Sequence, residues 1–280
     1  MIKYYTRACN FYYGSEAKNL VKNKRAFPLC GNSELAFNKL EIFTRKNNKV
    51  SSKTIKISDI DKLKSFQKDK VLKDLKKITF KRKNFLKNIN FLQPNIMGIL
   101  NLTPDSFSDG GKFNDFKNAN KHINNMISFG AKIIDVGGES TRPGSTTIKD
   151  KQEWKRIKNI VKKFKKNFKN VCLSVDTRKS AIMIKSLDCG ADIINDVSGF
   201  NYDNNSLSLI SNYNTSKVLH HMQGTPNTMQ KNPKYKNVLL DIYDFFDSKI
   251  KKIDDKKIIL DPGIGFGKTL KHNLTLISKI

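Results

Sequence analysis

The feature that most constrains the fold is a series of six short β-rich runs that alternates with helical patterns from about residue 95 onwards. Each run is nearly continuous in Ile, Val and Leu, which is typical of strands that are covered on both faces. Such an alternation predicts an α/β fold built around a parallel sheet. The predicted strands cover approximately residues 95–101, 132–136, 171–176, 192–197, 217–222 and 257–261.

The clearest predicted helix is the segment WKRIKNIVKKFKKNF, residues 154–168. Its apolar residues, from Ile157 to Phe168, recur with helical spacing, and its Lys and Asn residues occupy the other side. Gly130 and Gly190 stand just before the second and fourth predicted strands, where C-terminal helix caps are expected. Six βα units are therefore visible, against the eight of a complete TIM-type (β/α)₈ barrel.

The first ninety residues do not follow this pattern. They contain short aromatic and apolar runs, then a lysine-rich stretch in which Leu63, Phe66, Leu75 and Ile78 are predicted to share one helix face. We therefore predict an N-terminal extension over residues 1–90, and a barrel domain over residues 91–280. Few Ser residues and weak amphipathicity favour a folded appendage over an organelle transit peptide.

Composition restricts the partners and the compartment. The formal net charge is +28, yet only seven of the 53 basic residues are Arg, the residue best suited to bidentate phosphate and base contacts. The charge therefore indicates solvated lysine-rich faces, and no nucleic-acid partner is expected. No run approaches the length of a membrane span. The four dispersed cysteines indicate neither a disulfide framework nor a zinc site, which favours a reducing cytoplasm, and Cys172 and Cys189 are expected to be packing residues.

Polar side chains follow every predicted strand. Functional groups in parallel α/β folds lie at the carboxyl ends of the strands, where the loops converge. Solvated turns alone would not repeatedly place Asp or Asn directly after β-branched residues. The six strand ends read NLTPDSFSDGG, DVGGESTRPGS, SVDTRKS, INDVSG, HHMQGTPNTMQ and DPGIGFGKT.

Taken together and in this order, the six segments resemble those of the dihydropteroate synthases, a family of pterin-binding enzymes. The resemblance covers about residues 95–275 and implies a TIM-type barrel that acts as a transferase in folate biosynthesis. The implied reaction joins a dihydropterin-methyl diphosphate to 4-aminobenzoate and releases diphosphate. It also implies Mg²⁺ as the cofactor and a homodimer for the intact protein.

Physical chemistry supports the prediction that these residues bind a pterin. The edge of a pterin offers amino and ring N–H donors, and carboxylates accept such donors in pairs through strong charge-assisted hydrogen bonds. Asp176 and Asp261 are at opposite strand ends and suit two sides of such a ring, while Asn195 can both donate and accept. The resemblance assigns these three residues to the pterin and places Met222 in the lining of the same pocket.

The resemblance also assigns residues to the leaving group and the nucleophile. Asn101 is assigned to Mg²⁺, which takes few protein oxygens beside phosphate oxygens and water. A neutral arylamine can attack first and lose its proton afterwards, so no general acid or base is assigned. The remaining candidates are Asp105, Phe107 and Asp109 in the first loop, Thr141 and Arg142 facing the diphosphate, Pro143 and Phe266 facing the aminobenzoate, and Gly263 and Gly265 where the backbone approaches closely.

Two alternatives remain open at this point. Another pterin-binding barrel, such as a methyltetrahydrofolate methyltransferase, shares the Asp and Asn pattern but has no need of diphosphate loops. A basic nucleic-acid-binding protein on a decayed barrel would show salt-sensitive DNA binding.

His220 and His221 have no metal-ligand spacing, and we expect one to be buried and the other to cap a helix.

One departure from the family concerns the end of the chain. Family members continue into a seventh strand with a Ser-Arg-Lys type motif and an eighth with an Arg-x-His type motif, and this sequence contains neither. A barrel sheet without two of its strands would have unpaired edges. We therefore expect negligible turnover from this 280-residue chain.

Overall fold

A computed structural model of the chain describes residues 2–47, 49–103, 116–140, 145–253 and 257–279. Contacts divide the chain into two units, Met1–Lys83 and Asn84–Ile280. The division falls before the boundary at residue 90 that the sequence predicts. Residues 84–90 therefore have to be considered with the second unit.

The first unit is built on an antiparallel sheet. Its long strand β3 pairs with β1, with β2 and with β4. The elements in chain order are β1 (Ile2–Tyr13), α1 (Gly14–Lys22), β2 (Phe27–Leu29), β3 (Asn32–Lys46), β4 (Lys49–Lys56), a 3-10 helix (Ile57–Lys62) and α2 (Ser65–Thr79).

Helix α2 supplies the core of this unit. Val71 and Leu75 are buried and pack in one cluster with Leu40 and Ile42 of β3. Leu75 and Ile78 do share a face, as predicted, but the prediction for Phe66 is wrong, because this side chain is 74% exposed. At 100° per residue, Phe66 is on the opposite side of the helix from Leu75.

The second unit alternates strands and helices as the sequence predicts, and its α/β fold class is confirmed. The six strands in the described residues of this unit are parallel, in the order β10-β9-β8-β7-β6-β5, consistent with part of a (β/α)₈ barrel. The elements are β5 (Ile96–Asn101), α3 (Phe116–Ser128), β6 (Ala131–Gly137), α4 (Asp150–Asn167), β7 (Cys172–Asp176), α5 (Ser180–Asp188), β8 (Ile193–Asp196), α6 (Ser206–Ser211), β9 (Ser216–His220), α7 (Val238–Ile250), β10 (Ile258–Asp261) and α8 (Leu270–Lys279).

The parallel sheet has two different faces. The helix face carries Leu100, Val136 and Leu173, which pack against helix residues such as Ile157 and Ile182 in the main core. Residues one position away along each strand point to the opposite side, which we call the inner face. The predicted caps are confirmed, since Gly130 and Gly190 end their helices with φ of 95° and 90°.

The segment of residues 84–92 covers the amino-terminal end of the inner face. Leu86 and Ile89 are buried there in one cluster with Ile133 and Cys172. Burial raises the pKa of the Cys172 thiol to about 11, so the predicted packing role of this cysteine is confirmed. The apolar cluster leaves only the carboxyl-terminal end of the inner face for polar side chains.

Candidate active site

Strand register brings three predicted positions into one row at the carboxyl-terminal end of the inner face. Asn101 on β5 pairs with Gly137 on β6, and Gly137 pairs with Asp176 on β7. Asp176 in turn pairs with Asn195 on β8. Because these residues are in register on neighbouring strands, their side chains point the same way. Parallel pairing therefore assembles Asn101, Asp176 and Asn195 side by side.

Asp261 lies on the same face, at the end of β10. Its register partner on β9 is His220, and the distance from His220 Nδ1 to Asp261 Oδ2 is 3.0 Å. The backbone N–H of Gly263 donates to Asp261 Oδ1 at 2.8 Å. The side chain of Asp261 remains 42% exposed, so its carboxylate is fixed and still accessible.

Gly137 leaves a gap between Asn101 and Asp176. A Cβ atom built on Gly137 would lie 3.0 Å from Asn101 Oδ1 and 3.5 Å from Asp176 Oδ2. Any side chain at this position would therefore enter the space between the amide and the carboxylate. The absent side chain keeps both oxygens available to a ligand.

Asp135 is a site residue that sequence reasoning missed. Asp135 on β6 pairs with Ser174 on β7, two residues before Asp176, and it points to the same inner face. It is 5% exposed and accepts a hydrogen bond from Asn195 Nδ2 at 3.0 Å. An acid inside the apolar run KIIDV was the available signal. Asp135 Oδ1, Ser174 Oγ and Asn195 Oδ1 are buried without a hydrogen-bond partner among the described residues. Unsatisfied polar atoms of this kind indicate a ligand or ordered water.

The carboxyl groups on this face differ in their electrostatics. Burial raises the pKa of Asp135, and burial together with the negative charges of Asp135 and Asp196 raises the pKa of Asp176 well above its usual value. Burial also acts to raise the pKa of Asp261, but the interactions with His220, Gly263 and Lys268 together outweigh it and leave this pKa below the usual value. The face therefore combines one readily ionised carboxyl group with a pair that resists full ionisation.

A buried ion network holds the start and end of the second loop, and the sequence analysis did not single it out. Lys179 Nζ donates to Glu139 Oε1 at 3.0 Å, to Glu153 Oε2 at 2.7 Å and to the Ile148 carbonyl at 2.6 Å. Arg178 Nε donates to Glu139 Oε2 at 2.8 Å. Lys179, Glu139 and Glu153 are 4%, 8% and 1% exposed. The network ties Glu139, directly after β6, to helix α4.

Several predicted positions lie outside the described residues. These are Asp105, Phe107 and Asp109 of the first loop and Thr141, Arg142 and Pro143 of the second loop. Met222 follows β9 and is half-buried. Phe266 packs edge-on against His220, with ring centroids 4.7 Å apart.

The loop after β10 needs glycine for two different reasons. Gly263 has φ of 69°, and a Cβ atom there would lie 2.0 Å from the His221 carbonyl oxygen. Gly265 has φ of 85° with open space around it, so the predicted close approach applies to Gly263, whereas Gly265 serves the turn. These two positions let the loop fold back over the ends of β9 and β10.

The prediction for the two histidines is partly wrong. His220 is buried on the inner face, as expected of one histidine, but His221 caps no helix. It is 7% exposed, and its ring meets that of Phe245 at 4.9 Å. Burial and the neighbouring charge of Lys268 lower the pKa of His221 to about 4, so it is a neutral packing residue. Among the described residues, no cluster of three His, Cys, Asp or Glu side chains could hold a metal ion.

Comparison with protein families gives one match to a family model. Residues 97–280 match the model described as pterin binding enzyme. The matched range begins in β5 and includes all the site positions described above. The first unit, Met1–Lys83, lies outside it.

Individual relatives agree with the family match. Over 198 residues the chain is 41% identical to the dihydropteroate synthase of Escherichia coli K12, covering 69% of this chain and 70% of the relative. A Yersinia pestis dihydropteroate synthase structure with a sulfonamide drug is 41% identical, with a TM-score of 0.64 and coverage of 68% and 70%. The Xanthomonas albilineans enzyme structure with 4-aminobenzoic acid is 33% identical, with a TM-score of 0.60 and coverage of 68% of each chain.

Proposed function

The chain belongs to the pterin-binding enzyme family, and we propose that the inner face of its parallel sheet holds the substrates of dihydropteroate synthesis. Its function is that of a dihydropteroate synthase, a transferase of folate biosynthesis. The single observation that carries the residue assignments is the row of Asn101, Asp176 and Asn195 at one end of the inner face, with Asp261 on the same face.

The pterin is held by acceptors on two sides. Asp176 and Asp261 accept the N–H donors of the ring, and Asn195 supplies both a donor and an acceptor. Asn195 Oδ1 is buried without a partner among the described residues, which supports a role in ligand binding. Met222 and Phe266 provide apolar contacts beside the ring and the aminobenzoate.

The reaction breaks the bond between the methylene carbon and the diphosphate oxygen and forms a bond from that carbon to the amine nitrogen. The lone pair of neutral 4-aminobenzoate makes the new bond, and the amine loses a proton afterwards. The electron-rich pterin stabilises positive charge that develops at the methylene carbon. Thr141 and Arg142 face the departing diphosphate, whose charge the Arg142 guanidinium offsets. Pro143 contacts the aminobenzoate, and Asp105, Phe107 and Asp109 belong to the loop over the site.

Asn101 fits the proposed Mg²⁺ site. Its Oδ1 atom is at the rim, beside the gap left by Gly137, and a side-chain amide oxygen is an acceptable Mg²⁺ ligand when phosphate oxygens and water complete the shell. When bound, the ion supplies positive charge to the diphosphate.

We also propose a homodimer, from the family resemblance, and a cytoplasmic location, which the four free cysteines support. No helix of the described residues is long and apolar enough to cross a membrane.

Thermal shift of the 280-residue chain tests this function. Pterin-methyl diphosphate with Mg²⁺ is expected to raise the melting temperature, because a ligand that binds only the folded state stabilises it. The complex is then expected to retain labelled 4-aminobenzoate, and a sulfonamide is expected to displace the label. Asn195→Ala should abolish the shift, whereas Asn205→Ala, an exposed position just before α6, should leave it unchanged.

Two results would contradict the proposal. One is a shift with methyltetrahydrofolate and none with pterin-methyl diphosphate, which would indicate the methyltransferase. The other is salt-sensitive binding to generic DNA with no shift from either pterin, which would indicate a nucleic-acid-binding protein.

A further inference from the structure

His220 occupies a position on the inner face that the proposed reaction does not yet use. It ends β9 directly opposite Asp261, is 4% exposed, and places Nδ1 3.0 Å from Asp261 Oδ2. The Phe266 ring meets it edge-on at 4.7 Å. A Cβ atom built on Gly263 would lie 2.9 Å from His220 Nε2, so the imidazole sits directly against the turn after β10.

The surroundings of the ring fix its tautomer. An ionised carboxylate can only accept hydrogen bonds, so Nδ1 of His220 carries a proton and donates it to Asp261. Nε2 is buried without a partner among the described residues. Nδ1 is therefore the ring atom through which the described residues hold His220, as a donor to Asp261 Oδ2.

This hydrogen bond determines what Asp261 can offer a ligand. Oδ2 accepts from His220, and Oδ1 accepts from the Gly263 backbone N–H. Each carboxylate oxygen keeps a second lone-pair direction, and the side chain is 42% exposed. Two internal bonds thus hold the carboxylate rigidly while leaving an acceptor pair for two N–H donors. A group fixed before binding loses less conformational entropy when the ligand arrives.

We propose that His220 is a positioning residue for the pterin ring: through its Nδ1–H bond it holds Asp261 in the orientation that accepts the donor edge of the heterocycle. The inference rests on the proposed function, because it takes Asp261 as a ligand of the pterin. It goes beyond that function by assigning a role to a histidine that would otherwise be a core packing residue. Phe266 packs against the same imidazole, so His220 contacts both Asp261 and Phe266, two residues proposed to bind the substrates.

Substitutions that separate the hydrogen bond from the bulk of the ring test the proposal. In His220→Asn the amide nitrogen can take the place of Nδ1, whereas His220→Leu retains apolar volume and removes the donor. The measurement is the dissociation constant of 6-hydroxymethyl-7,8-dihydropterin for the 280-residue chain by calorimetry. We expect His220→Leu to weaken binding about tenfold, in line with the loss of one hydrogen bond to a charged group, and His220→Asn to stay within about threefold of wild type. His122→Leu on α3 is the control and should leave the affinity unchanged.

The outcomes that overturn the proposal can be told apart. Unchanged affinity in His220→Leu, or equal losses in the Leu and Asn variants, would show that the Nδ1–H bond does not position the ligand. A wild-type chain that binds no pterin would overturn the proposed function as well. Nitrogen NMR of the unsubstituted chain, which has four histidines, checks the tautomer without any variant. We expect Nδ1–H at His220, and an Nε2–H tautomer would contradict the proposal.

Discussion

At the scale of single residues, the charge of Asp176 has opposite effects on pterin binding and on the stability of the unliganded protein. A carboxyl group with a raised pKa in the folded state contributes its full stability below its unfolded pKa and loses it as the pH rises through the folded value. Ionising Asp176 in the unliganded protein therefore carries the cost of a desolvated charge near Asp135 and Asp196. The same charge is what a pterin donor edge requires.

Asp176→Asn is expected to separate these two effects. At pH 7 the melting temperature should rise by about 2–4 °C, the shift expected for about 1 kcal/mol in a unit of this size. Pterin affinity should fall by about tenfold or more, because a charge-assisted acceptor is lost. Calorimetry and thermal melts measure both quantities. Asp188→Asn, at an exposed position at the end of α5, should change neither, and a destabilised Asp176→Asn chain with full affinity would contradict the account.

Residue-level prediction from the sequence succeeds where a strand end marks the position. Asn101, Asp176 and Asn195 each follow an apolar run, and parallel pairing places them in one row. Asp135 is inside its strand rather than at the strand end, and its only signal was an acid within the apolar run KIIDV. Lys179 resembles a surface lysine in sequence, and only the tertiary contacts with Glu139 and Glu153 reveal that it is buried.

At the scale of elements, the six strands were predictable because each is a short β-branched run between helical patterns. The role of the segment of residues 84–92 was not predictable, because its few apolar residues have no periodicity. Their packing role is visible only from their contacts with the inner face of the sheet. The antiparallel sheet of the first unit was also not predicted. Its pairing depends on contacts distant in sequence, such as Ile2 with Lys46.

The segment of residues 84–92 should contribute measurably to stability. Leu86→Ala is expected to lower the free energy of unfolding by about 2–4 kcal/mol, since Leu86 is 7% exposed and its truncation leaves a cavity against the strands. Leu92→Ala, at a position that is 42% exposed on the same segment, should cost less than about 1 kcal/mol. Urea denaturation measures both. Equal effects of the two substitutions would show that the segment does not support the sheet.

The buried ion network ties β6, α4 and β7 together, and its loss should be costly. Lys179→Met is expected to destabilise the second unit by about 3–5 kcal/mol, because Glu139 and Glu153 would remain buried without their shared ammonium. Lys155→Met, at an exposed position on α4, should have little effect. Denaturation curves compare the two variants, and a stable Lys179→Met chain would contradict the assigned role.

The pH dependence of this contribution follows from the raised pKa of Lys179. Burial lowers the pKa, but the bonds and charges of Glu153 and Glu139 outweigh it and leave the pKa above 10.5. A lysine with a raised folded pKa contributes its full stability below the unfolded value and loses it as the pH rises through the folded value. The difference between wild type and Lys179→Met should therefore stay constant through neutral pH and shrink only under strongly alkaline conditions.

At the scale of the whole molecule, the chain combines a unit within the pterin-binding family with a unit outside the family match. The function follows from the second unit alone, because every described site residue lies there. The net charge of +28 has no part in the site, whose inner face is acidic at Asp135, Asp176 and Asp261. The basic composition of the chain therefore does not indicate its function, which follows from the acidic side chains of the site.

The most direct test of the central claim is a crystal structure of the 280-residue chain with 6-hydroxymethyl-7,8-dihydropterin. We expect the ring to lie on the inner face, with its N–H donors within hydrogen-bond distance of the Asp176 and Asp261 carboxylates and its edge against the Asn195 amide. A ring bound elsewhere, with these three side chains contacting only protein or solvent, would contradict the account.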